Sequence, residues 1–472
     1  MASAFKWHPI ADLPDDPRAL TDGELESLLR VWQTQKKDLA ERDALDEFDR
    51  RLRREWAIET GIIEGVYTLD RGVTRTLIER GIDAAYIPHD ATNRDTTLVA
   101  RIIQDHYDAL DEMFDFIGGT RSLSVSYIKE LHAALLRNVD THTAVDQFGQ
   151  AFEKRLEKGQ YKTAPNSPTR PDGSLHEFCP PDHTASEMDE LVRMHAAHEG
   201  QIVPPEVEAA WLHHRFSQIH PFADGNGRVA RAIASLVFIK AGWFPLIVKR
   251  EDKPRYIEAL EKADRDDLRP LVALFVEGQR NALIQATEIA YDVRPITSTH
   301  EAVRAVRDRL VQRGKLGPKE WLAAKEIARK LFESGRQQLA ATAAALTTEL
   351  HGFGTPYNFN GAHRSNSESD TLLIQKAGYL PDFVAYDSVW QLSLSVGRLD
   401  ALILSFHGIG PRFRGLIGVV AYLQVQQAET ALIEGGTFQI NYEEDLEAAQ
   451  ARFSAWLDRV IVAGLNAWRL TL

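Results

Sequence analysis

The stretch "HPFADGNGRVARAIASLVFIKAGW", residues 220–243, constrains this chain most. A Gly-Asn-Gly turn (225–227) passes at once into a run of Ala, Val, Ile and Phe that reads as a buried helix ending near Gly242. A helix apolar on every side needs other elements packed around it. The turn before it suits an anion. Its glycines let backbone N–H groups converge, and the free N–H groups of the first helical turn point outward. Arg228 and Arg231 stand three apart, about one turn, so both can reach one polyanion such as a triphosphate. Asp224 precedes the turn and is a candidate Mg²⁺ ligand among phosphate oxygens. His220, four residues earlier at the end of the preceding helix, is a candidate base for a hydroxyl attacking phosphorus.

Taken singly, each residue has a bland explanation: a structural histidine, an ordinary turn, a solvated pair of arginines. Together, in one loop before an apolar helix, they make coincidence a poor account. The rest of the composition narrows the setting. The net charge of -13 argues against a broad electrostatic grip on nucleic acid. Cys179 is the single cysteine, so no intrachain disulfide forms and oxidising export is not favoured. The first twenty residues lack the apolar core of a secretory signal. No apolar run reaches the roughly eighteen residues that span a bilayer. A soluble cytoplasmic protein without nucleic-acid or membrane partners is expected.

With 472 residues the chain has room for two or three domains. Residues 21–82 read as helical, with Leu45, Phe48, Leu52 and Trp56 at helical spacing. Helices are expected to continue through 95–155. Residues 159–183 are rich in Pro, Gly and Ser and read as a loop or hairpin. Helices resume at 186–198 and 204–219, and two more follow the apolar run, between 253 and 283. Residues 291–300 look like a linker. Beyond it, a helix with Pro318 in its first turn is expected, then a loop over 351–369. Four strand-like segments follow, "VWQLSLSVG", "DALILSFHGIG", "GLIGVVAYLQVQ" and "GTFQINYEE", and a last helix over 444–470. The predicted fold is mainly α: an all-helical core with a flap hairpin, then a C-terminal α+β domain. The boundaries drawn are 1–110, 111–292 and 293–472.

"HPFADGNGRVAR" resembles the Fic family signature, His-x-Phe-x-Asp/Glu-Gly-Asn-Gly-Arg-x-x-Arg, at every specified position, fixing eight identities over twelve positions. The resemblance covers roughly residues 45–290. It implies transfer of AMP from ATP to a Ser, Thr or Tyr hydroxyl of a target protein, with release of pyrophosphate. It implies His220 as base, Asp224 as Mg²⁺ ligand, and Gly225, Asn226 and Gly227 as the phosphate cradle. Arg228 and Arg231 would bind phosphates, Arg231 the γ-phosphate. A kinase-like branch of the family carries Lys where this chain has Gly227, so the AMP-transferring branch is expected.

A second signal lies upstream. "TGIIEG", residues 60–65, is similar to the family's inhibitory motif, Ser/Thr-x-x-x-Glu-Gly/Asn. Thr60 and Glu64 share a helix face. The resemblance implies that Glu64 pairs with Arg231 and denies it to the γ-phosphate. The same resemblance makes 159–183 a flap that covers the nucleotide and pairs with the target's backbone as an added strand. A metal site from His176, Cys179 and His183 is the rival reading of that segment, with no paired Cys-x-x-Cys behind it. Tyr256 would line the adenine pocket or simply pack between helices, and Asp264 would lie near the base. His213 and His214 read as structural, one toward the core and one exposed.

The C-terminal third carries no recognised motif. Residues 405–418 read as a strand connection rather than a functional loop, and target choice or oligomerisation, a homodimer included, is a role read from position only. Three functions fit these residues: a self-inhibited protein adenylyltransferase using Mg-ATP, with removal of AMP at the same site as a further capacity; a nucleotide-binding regulatory protein without catalysis; and transfer of a different nucleotide monophosphate.

Overall fold

A computed structural model describes residues 5–21, 23–38, 42–118, 122–145, 150–169, 173–201, 203–289, 318–350, 358–364, 376–377, 389–395, 400–409, 415–425 and 430–470. The chain divides into two compact units, Met1–Gly23 with Leu45–Leu283, and Glu24–Ala44 with Ile284–Leu472. In chain order the helices before the first hairpin are α1 (Glu24–Asp38), α2 (Arg42–Ile63), α3 (Arg71–Arg80), α4 (Thr96–Gly118) and α5 (Val125–Leu135). The hairpin is β1 (Thr141–Val145) and β2 (Ala151–Arg155). Then come α6 (Pro181–Glu199), α7 (Pro205–Ile219), α8 (Asn226–Lys240), α9 (Lys253–Ala263) and α10 (Arg269–Ile289).

In the first unit α8 is the central helix. Val229, Ala230, Ala232, Ile233 and Ala234 are fully buried, as the apolar run predicts. Its neighbour α7 is buried on every side too, although its sequence is strongly polar. Most of its polar groups are matched instead of exposed, His213 Nδ1 being an exception. Glu208 accepts from His195 and His198 at 2.6 and 2.8 Å, and Ser217 donates to the carbonyl of His213 at 2.8 Å.

Two expectations are corrected here. Residues 21–82 are not one helical stretch: α2 ends at Ile63, and α3 begins only at Arg71. The helices of 95–155 also give way to a hairpin, with Thr141 opposite Arg155 and Val145 opposite Ala151. β2 is exposed along its whole length, so no buried face disciplines its pattern. Among the described residues of 159–183, Thr169 and Leu175 form one antiparallel bridge, and α6 begins at Pro181.

The second unit contains α1, then α11 (Pro318–Glu349), β3 (Asn358–Arg364), β4 (Val389–Ser395), β5 (Ala401–Gly408), β6 (Leu416–Gln424), β7 (Ala431–Asn441) and α12 (Leu446–Arg469). The five strands form one antiparallel sheet in sequence order. Four were expected. β3 falls where a loop was expected, because Gly361 and the flanking polar residues hide its strand character. Leu392, Leu404 and Ala421 are in register across three strands, and they pack with Phe453 and Trp456 of α12. The helix α1 belongs to this unit: Ser27 Oγ accepts from Asn441 Nδ2 at 2.8 Å and Glu24 meets Arg452 at 3.4 Å. The linker expected at 291–300 lies outside the described residues. Among the described residues no helix is long and apolar enough to cross a membrane.

Candidate active site

The site begins at the end of α2. Gly65 has φ +71°, its N–H bonds the carbonyl of Ile62, and the N–H of Val66 bonds the carbonyl of Gly61. This is a Schellman ending with Glu64 at the cap and the left-handed residue after it, which explains why a glycine follows the glutamate. Gly61 has its own reason. A Cβ there would meet the ring of Tyr67 at 2.4 Å, and that ring folds back so that its hydroxyl donates to the carbonyl of Ile58 at 3.0 Å. The helix end is therefore held from both sides.

Several contacts tie α2 to α8 and the segment after it. Trp56 Nε1 donates to Ser235 Oγ at 3.1 Å, and Glu59 takes a bidentate grip on Arg250 with a shortest distance of 2.6 Å. Arg231 makes two more. Its Nη1 donates to Glu64 Oε1 at 2.8 Å and its Nη2 to the main-chain carbonyl of Thr60 at 3.2 Å. Thr60 thus contributes its backbone to the arginine. Enclosure of the carboxylate end works against the Glu64 charge, but Arg231 and then Arg228 outweigh it and hold the carboxyl below its usual range.

Glu64 also lies against Gly227. A Cβ at 227 would stand 2.3 Å from Glu64 Oε1. The carboxylate therefore sits in the notch that the missing side chain leaves, in the first turn of α8, where an anion is favoured. Gly225, at the N-cap with φ +78°, makes the entry, and a Cβ there would meet Leu136 at 2.7 Å. Asn226 closes the turn from inside: its Oδ1 accepts from the N–H of Phe222 at 2.9 Å and its Nδ2 donates to the carbonyl of Phe222 at 2.7 Å. Asn226 is buried and fixes the loop through its own side chain.

Arg228 Nη2 donates to Asp224 Oδ2 at 3.0 Å. Its Nε and Nη1, and Arg231 Nε, are buried and meet no hydrogen-bond partner among the described residues. Unmatched guanidinium donors beside a glycine notch suit phosphate oxygens. Asp224, with its side chain 40% exposed, offers the hard oxygen atoms that a Mg²⁺ ion takes.

His220 caps α7 in the left-handed region, φ 52°, a conformation that a histidine holds only when its surroundings impose it. Its Nδ1 lies 3.2 Å from the carbonyl of Ser217. A carbonyl can only accept, so Nδ1 carries the proton and Nε2 has the free lone pair. Phe178 stacks flat on the ring, centroids 3.8 Å apart and planes 4° off parallel. Enclosure, then the nearby Lys162 charge, push the imidazole pKa down to about 3. The ring is a neutral imidazole.

Three supporting residues escaped the sequence reading. His132, on α5, accepts from the N–H of Gly159 at 2.8 Å and donates Nε2–H to the carbonyl of Asp224 at 3.1 Å, while stacking on Phe222. Lys162 donates to the carbonyl of Ile219 at 3.2 Å, and burial lowers its pKa to about 8. Asn166 donates to the carbonyls of His220 and Phe222 at 3.3 and 2.8 Å. All three act on main-chain atoms of residues 219–224, so no side-chain pattern in that loop announces them.

Tyr256 is buried with its hydroxyl 2.7 Å from His213 Nε2, and burial raises its pKa to about 12. The expectation that one of His213 and His214 is exposed is wrong: both are buried, because α7 is enclosed on all sides. His214 Nε2 lies 3.0 Å from Asp264 Oδ1, and His176 lies 3.8 Å from Oδ2. His176 and His183 stack on Phe5 and Trp7, and Cys179 is buried with its thiol pushed up to about 11. Among the described residues no group of three His, Cys, Asp or Glu side chains is arranged to hold a metal ion.

The Fic/DOC family matches residues 122–238, which run from just before α5 nearly to the end of α8. Residues 122–238 form a Fic domain. The chain is similar to the protein adenylyltransferase Fic of Nematostella vectensis, 28% identical over 204 residues, 42% of this chain and 43% of that protein. It is also similar to the protein adenylyltransferase fic-1 of Caenorhabditis elegans, 26% identical over 265 residues, 52% of this chain and 45% of that protein. The chain thus spans less than half the length of these curated relatives. Among solved structures, a Fic-domain-containing signaling protein from Bacteroides thetaiotaomicron is 23% identical, with 57% of this chain and 97% of that one covered and a TM-score of 0.46. Outside the Fic domain, the partner of Arg231 comes from α2 at Glu64.

Proposed function

We propose that this protein transfers AMP from ATP to a Ser, Thr or Tyr hydroxyl of a protein substrate, and that Glu64 holds the site in an inhibited state. The Fic domain and the named relatives support the reaction class. The observation that carries the inhibited state is the position of Glu64, hydrogen-bonded to Arg231 and seated in the Gly227 notch.

In this reading His220 Nε2 takes the proton of the target hydroxyl as its oxygen attacks the α-phosphorus. The bond from that phosphorus to the bridging oxygen breaks, and pyrophosphate leaves with the electron pair. Gly225, Asn226 and Gly227 cradle phosphate oxygens, Arg228 and Arg231 bind them, and Tyr256 backs Arg231 from inside. Asp224 is the residue that would hold Mg²⁺, which when bound neutralises phosphate charge. Glu64 is then a built-in anion. It takes the helix-terminal position and the guanidinium fork that a γ-phosphate requires, and nucleotide cannot bind in the reactive pose while the pair persists.

The test is AMP incorporation into protein from labelled ATP, comparing the wild-type chain with Glu64→Gly. Labelling that rises with Glu64→Gly supports the reading, and labelling equal in the two removes the inhibitory role. Parallel reactions with GTP, CTP and UTP decide the donor.

A further inference from the structure

Residues 5–12 cross the first unit in two dissimilar stretches. The stretch Ile10–Asp12 is firmly anchored. Ile10 is buried in the core and its N–H bonds Glu187 at 2.9 Å. The carbonyl of Ala11 accepts from Trp211 and Arg215 at 3.0 and 2.9 Å, and Asp12 meets His198 at 2.6 Å. The stretch Phe5–His8 has fewer polar anchors, although Trp7 packs against the core and stacks on His183. Phe5 and His8 are half-buried and Lys6 is exposed. The carbonyl of Phe5 accepts from the N–H of Glu177 at 3.0 Å, in a single parallel bridge with His176. Gln218 donates to the carbonyl of His8 at 3.1 Å.

The stretch Phe5–His8 lies at the end of a line of rings. Phe5 stacks on His176 at 4.7 Å, His176 meets Phe178 edge-on at 4.9 Å, and Phe178 stacks on His220 at 3.8 Å. Phe5 is therefore linked through His176 to the ring that covers His220, and its backbone fills a strand edge beside that ring.

We infer that residues 5–8 are a tethered, detachable occupant of the strand edge at His176 and Glu177, competing there with an extended segment of a protein partner. Anchoring at Ile10–Asp12 keeps the arm at high effective concentration, so the bonds to the carbonyls of Phe5 and His8 and the ring stacks of Phe5 and Trp7 suffice to hold it. An extended partner segment satisfies the same N–H of Glu177, and an aromatic side chain on it replaces Phe5 over His176. Identifying that partner with the protein that receives AMP rests on the function proposed above.

The experiment uses the full chain and the variant Phe5→Ala/Trp7→Ala, with the Ile10–Asp12 anchor untouched. Hydrogen exchange at the Glu177 amide should quicken about tenfold in the variant, with α8 unchanged. A synthetic peptide of residues 4–9 should restore slow exchange in the variant, and the same peptide with alanine for Phe5 should not. In the Glu64→Gly background the arm substitutions should lower KM for the protein substrate several-fold and leave KM for ATP unchanged. Equal Glu177 exchange in the two chains, or a peptide that restores nothing, overturns the inference. So does labelling by Glu64→Gly that is indifferent to the arm. Absence of labelling in every variant overturns the AMP-transfer reading alone, because exchange and peptide binding decide the arm without catalysis.

Discussion

Glu64 Oε1 and Arg231 Nη1 are 2.8 Å apart, although 167 residues separate them in the chain. The bond joins the cap of α2 to the first turns of α8, and it puts a carboxylate in the notch at Gly227. The Nη1 donor given to this carboxylate is not free for a phosphate oxygen at the same time.

Glu64→Gln keeps the size of the side chain and removes its charge. A charged hydrogen bond contributes about 1.5–3 kcal/mol, so its loss should raise AMP labelling by roughly ten- to a hundredfold. Glu64→Gly should do at least as much. The measurement is the initial rate of labelling, and a rate within about twofold of wild type counts against the inhibitory role.

Gly227→Ala puts a methyl group where Glu64 Oε1 lies, and should lower stability by about 1–3 kcal/mol through overpacking. In a Glu64→Gly background the collision partner is gone, so most of that loss should disappear. Urea denaturation of the four chains of this double-mutant cycle checks the coupling; simple additivity would mean that the notch does not seat the carboxylate.

His220→Ala should reduce transfer by about 10²–10⁴-fold, the usual contribution of a general base. A general base works unprotonated, and the His220 pKa is pushed down to about 3 by enclosure and Lys162. The acid limb therefore moves below the ordinary histidine range. kcat/KM for Glu64→Gly should stay nearly flat between pH 8 and 5, whereas a half-maximum near 6.5 would require a solvated imidazole.

His106 and His220 are held to pKa values of about 3, and His132 to about 4, burial being the first cause for each. Their folded pKa values lie below the unfolded 6.5, so the unfolded chain takes up these protons first. Their contribution to stability is intact above pH 6.5 and is lost as pH falls from there toward 3 to 4. Denaturation midpoints should drop across that window, and His132→Asn should make the drop shallower.

Gly225→Ala forces φ +78° on a residue with a side chain and drives its Cβ into Leu136. A loss of about 2–4 kcal/mol is expected, from backbone strain and overpacking together. Thermal denaturation measures it, and a loss under about 0.5 kcal/mol would mean that the turn relaxes freely.

Elements that depend on local chemistry can be read from neighbouring residues. The turn 225–227 and α8 follow from glycine, asparagine and an unbroken apolar run, all contiguous. The four strands β4 to β7 declare themselves by apolar residues that alternate or run together. The pairing of Glu64 with Arg231 was expected only through a resemblance, since two residues 167 apart carry no local signal of contact.

Tertiary structure alone decided the rest. It buried both His213 and His214 by enclosing α7, where the polar pattern of the sequence implies an exposed face. It placed His132, Lys162 and Asn166 against main-chain carbonyls near His220, contacts that any donor of the right reach could make. It assigned α1 to the C-terminal unit through Ser27 and Glu24, although the helix lies near the start of the chain. Local propensity is written in neighbouring residues; partnership across the fold depends on which surfaces meet, and that is settled only when the whole core packs.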